Sequence, residues 1–193
     1  MLPKELSKLN LVYLARGKRS LIYTFKKGKK KFALKIEDEQ SGAKGRIKNE
    51  VKFLKILNKI NIGAKLISWK ENYFVYEFVE GDLILDYINK TKNPFPVLIK
   101  ILKQCRVLDK LKINKLEMHH PLKHIFVKKN KVTMIDFERA YFTKKPKNVT
   151  QFCQFLMRNK NLELNKEKVI NSLKEYKTDQ SEQNFEKVLS FFF

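Results

Sequence analysis

Three residues of this sequence combine types that handle phosphate and divalent cations. Lys35 follows the apolar run Phe32-Ala33-Leu34, and a lysine on an apolar strand is costly to bury unless a carboxylate pairs with it. Glu50, on the next stretch of helical periodicity, is a candidate for that partner. Asp136 closes the run Val132-Thr133-Met134-Ile135. A carboxylate at a strand end suits Mg2+, a hard cation that takes oxygen ligands. Upstream, the segment from Leu14 to Tyr23 places small residues at Ala15, Gly17 and Ser20 and an apolar Ile22 after them. Small side chains at such a bend let backbone N–H groups approach an anion. Taken singly, each feature has a plainer reading: a lysine-rich turn, a surface Lys and a surface Glu, a strand-capping Asp.

The elements that must position these residues can be read from periodicity. Leu11–Leu14, Leu21–Phe25 and Phe32–Ile36 alternate as strands, with Lys27-Gly28-Lys29 as the turn between the last two. Ile47, Val51, Phe53-Leu54 and Ile56-Leu57 recur at helical spacing from Gly45 to Asn58, and Asn61-Ile62-Gly63 breaks that helix. Strands over Ala64–Trp69 and Tyr73–Val79 complete a five-strand, one-helix unit ending at Glu80-Gly81-Asp82. Beyond it the character is mostly helical: Leu83–Asn89, Phe95–Lys112, Val149–Arg158, Lys166–Tyr176 and Ser181–Phe193, with a short hairpin over Ile125–Val127 and Val132–Ile135. The expected class is α+β, with a sheet-and-helix half over residues 1–80 and a reduced helical half over 81–193.

Composition supports a folded chain, at 43% hydrophobic and 12% aromatic residues. Lys+Arg of 42 against Asp+Glu of 20 gives a formal charge of +22, a field attractive to RNA, nucleotides or an acidic protein partner. Lysine is scattered along the whole chain, so a compositional habit accounts for the charge equally well. Cys105 and Cys153 lie in apolar runs and read as reduced core residues. Met1–Glu5 carries no apolar signal-peptide run, and no stretch is long and apolar enough for a membrane span, so the expectation is a soluble cytoplasmic protein with no membrane partner.

Taken in order, the motifs resemble those of the protein-kinase-like superfamily. The likeness is to its small atypical RIO-type and KEOPS-associated members, and most of all to archaeal predicted serine/threonine protein kinases. Ala15, Gly17, Ser20 and Ile22 occupy the fixed positions of a G-x-G-x-x-G-x-V loop, Phe32-Ala33-Leu34-Lys35 resembles V-A-I-K, and Asp136-Phe137-Glu138 stands where D-F-G is found. The resemblance covers about residues 10 to 158. It implies a bilobal fold in which Lys35, oriented by Glu50, meets the phosphates of ATP, and the backbone of Glu77 to Val79 binds adenine. Asp136 would hold Mg2+ or Mn2+. The implied activity is phosphoryl transfer to a protein serine or threonine, or to the chain itself.

The sequence departs from that pattern in the catalytic loop. Aligned on the strand Ile125-Phe126-Val127, His119 falls where the catalytic Asp belongs and His124 where a metal-binding Asn belongs. A neutral His119 can accept a hydroxyl proton, Lys123 can stabilise a transferring phosphoryl group, and His124 suits softer divalent metals better than Mg2+. His120 and His124 also have the i, i+4 spacing of zinc ligands, but Pro121 disfavours the helix that would put them on one face. Glu138 in place of glycine removes a freely rotating backbone position. No A-P-E sequence follows, and the short span from Asp136 to Val149 leaves no room for a long activation loop. Two alternatives therefore stand beside the enzyme: a pseudokinase module that binds nucleotide without chemistry, and an RNA- or ribosome-associated factor that uses the basic surface.

Overall fold

The computed structural model describes residue 6, residues 8–41 and residues 44–193, so the N-terminal stretch Met1–Glu5 lies outside the described residues. Among the described residues it is α+β, with a five-stranded antiparallel sheet and six α-helices. The chain divides into two compact units. The first runs through Val79 and takes in Met134–Arg139; the second comprises Glu80–Thr133 and Ala140–Phe193.

In the first unit, strands β1 (Val12–Arg16), β2 (Ser20–Lys27), β3 (Lys30–Glu37), β4 (Leu66–Trp69) and β5 (Tyr73–Glu77) pair in the order β1-β2-β3-β5-β4. The β2–β3 hairpin closes through Gly28-Lys29, with Gly28 at φ 60°, a conformation glycine adopts without penalty. Period-two alternation gives the sheet two apolar faces. Phe25, Phe32, Leu34, Ile36, Tyr73 and Val75 form one cluster with Leu6. Ala33 and Lys35, in the alternate positions of β3, belong to the opposite face. Helix α1 (Arg46–Leu57) buries Ile47, Glu50, Val51, Phe53, Leu54 and Leu57, the stripe expected of a helix lying on a sheet. The turn after it requires Gly63: at φ 86°, a Cβ there would stand 2.9 Å from Leu54 Cδ2.

The second unit contains α2 (Ile84–Lys90), α3 (Phe95–Lys110), α4 (Asn148–Arg158), α5 (Lys166–Thr178) and α6 (Glu182–Leu189). Two small sheets accompany them. Strands β6 (Asp82–Leu83), β8 (Ile125–Lys128) and β9 (Lys131–Met134) form one, and β7 (Ile113–Asn114) pairs with β10 (Tyr141–Phe142) in the other. Gly81 is dictated by close approach, since a Cβ would stand 2.5 Å from the Val127 carbonyl oxygen. Cys105 and Cys153 are free thiols in the helical core, and burial pushes both thiol pKa values up. Phe192 is buried against Phe95, whereas Phe193 is exposed. Among the described residues, no helix is long and apolar enough to cross a membrane.

Candidate functional site

The first unit brings Lys35, Glu50 and Asp136 together around one ammonium group. Lys35 is only 6% exposed, and its Nζ donates to Glu50 Oε2 at 2.7 Å and to Asp136 Oδ1 at 3.0 Å. The other oxygen of Glu50 accepts the backbone N–H of Phe137 at 3.1 Å. One carboxylate on the inner stripe of α1 thus ties strand β3 to the segment just after Asp136. Asp136 itself adopts φ 64°, a left-handed conformation that Asp tolerates better than most residues and that stores local strain.

Glu138 completes the group, and nothing in the sequence pattern singled it out as a partner. Its Oε2 lies 3.4 Å from Lys35 Nζ, its Oε1 accepts from Arg19 Nη1 at 2.9 Å, and its carbonyl accepts from Asn49 Nδ2 at 3.0 Å. Three carboxylates therefore face one lysine and one arginine, a formal excess of negative charge. Burial by itself would lower the Lys35 pKa, but Glu50, Asp136 and Glu138 together raise it above the ordinary lysine value, so the group stays an ammonium. Burial pushes the Glu50 carboxyl up, against the pull of Lys35. The neighbouring phenol of Tyr76, buried on β5, is pushed up by burial and then by Glu50.

Oxygen atoms of Glu50, Asp136 and Glu138 lie within 4.8 Å of one another. An all-oxygen donor set with a part-exposed member fits a hard divalent cation such as Mg2+ or Mn2+. Among the described residues this is the only cluster of three potential ligands, and no histidine belongs to it.

The phosphate-loop candidates lie on the β1–β2 hairpin. Ala15 pairs directly with Ile22, and Gly17 N–H donates to the Ser20 carbonyl at 2.8 Å, closing a tight turn with Lys18 and Arg19 at its tip. A Cβ on Gly17 would meet Ser20 at an ordinary 3.5 Å, so the turn tolerates a side chain there. Ion pairs tether the hairpin at two points. Arg16 bonds Asp38 at 2.7 Å, and Arg19 bonds Glu138 at 2.9 Å. At the end of β5, the N–H groups of Glu77 and Phe78 are committed to the carbonyls of Lys65 and Lys31, at 2.9 and 3.0 Å. The expected hydrogen bonds from this stretch to adenine therefore cannot come from these two N–H groups.

His119, Lys123 and His124 lie in the second unit. His119 is exposed at the end of a 3-10 turn over Leu116–His119, with Nδ1 at 2.9 Å from the Leu116 carbonyl oxygen. A carbonyl only accepts, so Nδ1 carries the hydrogen and, in the neutral ring, Nε2 is the basic atom. The turn is anchored by fully buried Lys115, whose N–H donates to Asn148 Oδ1 at 2.8 Å and whose ammonium donates to Glu117 at 3.1 Å. Lys123 is exposed, and the His124 N–H donates to the Pro121 carbonyl. No known family model matches the chain, and a search of curated proteins finds no match.

Proposed function

We propose that the chain is an ATP-dependent phosphotransferase of the small atypical protein-kinase-like type, acting on a protein serine or threonine or on itself. The observation that carries this reading is the buried Lys35 ammonium held by Glu50 and Asp136, with the loop from Ala15 to Ile22 on the two strands preceding it. Held by Glu50, Lys35 neutralises phosphate oxygens without having to be desolvated at the moment of binding. Asp136 and Glu138 would hold the divalent cation, which supplies charge neutralisation to a bound triphosphate. The reaction moves the γ-phosphoryl group to a hydroxyl oxygen and releases ADP. By the sequence resemblance, the hydroxyl proton would pass to His119 Nε2 and Lys123 would stabilise the transferring group. The test is formation of ADP and phosphoprotein with Mg2+ or Mn2+. At least a tenfold fall in Lys35→Ala is expected; equal rates in both proteins, or none in either, overturn the proposal.

A pseudokinase reading, nucleotide binding without turnover, is favoured by the exposed position of His119 and its bond to the carbonyl of its own turn. Thermal stabilisation by ATP and metal that disappears in Asp136→Ala, with no ADP formed, would select it.

A further inference from the structure

We infer that the outer face of the first unit, where α1 runs beside edge strand β4, is a docking surface for single-stranded nucleic acid. Such docking does not depend on any phosphoryl transfer. The one tryptophan of the chain, Trp69, is 46% exposed on β4. Beside it, α1 presents lysines at Lys48, Lys52 and Lys55, spaced i, i+4, i+7 so that they share one stripe opposite the buried face. With Lys70 and Ile56 these residues line a shallow groove. Its only acidic residue is Glu71, which pairs with Lys48 at 2.5 Å. The Lys55 ammonium lies 3.9 Å above the centre of the Trp69 ring.

A flat aromatic surface flanked by cations supplies both requirements of sequence-tolerant single-strand binding, a ring on which a base stacks and charges that track the backbone. A base arriving on Trp69 displaces the flexible Lys55 side chain, whose ammonium can then meet a phosphate. An acidic peptide would use the lysines but not the ring face, and a duplex keeps its bases stacked inside. The charge of +22 steers polyanions to the surface in general; Trp69 and its lysines give the local site.

Because Trp69 is the only tryptophan, its fluorescence reports on this groove alone. Titration of the full chain with a short oligouridylate at low salt is expected to quench it saturably. The logarithm of affinity should fall against the logarithm of salt with a slope of about −2 to −3, as release of counterions from three or four phosphates requires. Lys52→Glu with Lys55→Glu is expected to weaken binding of labelled oligonucleotide, followed by anisotropy, at least about tenfold. Trp69→Ala should weaken it by about 5- to 150-fold, the range for loss of one stacked base. Lys168→Glu with Lys174→Glu, which alters net charge equally on exposed α5, should change it less than about threefold. Three results overturn the inference: no quench at low salt, equal losses in the α1 and α5 variants, or equal quench by polyglutamate. Melting curves matched to wild type confirm that each variant is folded.

Discussion

Each unit buries a polar cluster, and the two differ in how their charges are balanced. In the second unit Asp109, fully buried on α3, accepts four hydrogen bonds. Its Oδ1 takes Asn148 N–H and Nδ2, at 3.0 and 2.7 Å, and its Oδ2 takes Val149 N–H and the Tyr176 hydroxyl, at 3.3 and 2.9 Å. Tyr176 in turn accepts from Arg106 at 3.2 Å. The carboxylate is saturated, and it clasps α3 to the start of α4 and to α5. In the first unit three carboxylates share Lys35 and Arg19, and the Asp136 side chain is 28% exposed. Burial of charge is common to both clusters. An excess of carboxylates over cationic side chains beside solvent belongs to one, and an all-oxygen cluster of that kind suits a hard divalent cation.

Breaking the saturated cluster should have the larger effect on stability. Asp109→Ala leaves the Asn148 amide, the Val149 N–H and the Tyr176 hydroxyl buried without their acceptor, and is expected to cost about 3–5 kcal/mol in urea unfolding. A loss under about 1 kcal/mol would mean that the clasp is not structural. Lys35→Met leaves three carboxylates facing one another and is expected to cost about 2–4 kcal/mol without added metal. The two variants should then part. Millimolar Mn2+ is expected to restore most of the stability lost in Lys35→Met, because it replaces the missing cation, and none of that lost in Asp109→Ala. Equal responses to the metal would erase the distinction drawn between the clusters. Smaller again, Arg19→Ala removes a half-exposed partner of Glu138 and should cost under about 1 kcal/mol, while loosening the β1–β2 hairpin enough to raise its amide exchange.

The two clusters also differed in how visible they were beforehand. Strands β1 to β5 and the helices carried clear two-fold or helical periodicity, and Lys35, Glu50 and Asp136 stood out because each is a charged residue on or beside an apolar run. Two-residue strands β6, β7 and β10 are too short to have a period. Glu138 was legible only as a missing glycine; its role depends on an approach to Lys35 across 103 positions, which local pattern does not encode. Asp109 left a fainter mark. It extends the stripe Leu98, Leu102, Cys105 of α3, where an aliphatic side chain is the rule, and a carboxylate on such a stripe signals a buried partner set. The partner, Asn148, lies 39 positions away at the start of α4, a separation that local pattern does not encode.

The last expected effect is a slope with pH. Burial raises the Asp109 pKa from its ordinary value of 3.8, against the opposing pull of its four donors. The folded chain therefore holds this proton more tightly than the unfolded chain. Between the two pKa values the folded state binds more protons, so stability from this group falls as pH rises through the window and levels off above it. Asp109→Asn carries no titrating group there and shares every other charge. The melting temperature of wild type minus that of Asp109→Asn should be greatest below about pH 4 and shrink as pH rises through the raised pKa of the folded chain. Each pH unit that separates the folded and unfolded pKa values is worth about 1.4 kcal/mol. Differential scanning calorimetry at fixed ionic strength measures the difference. A gap that widens as pH rises would mean that the four donors outweigh burial, making Asp109 a stabilised anion and bringing the two clusters closer in kind.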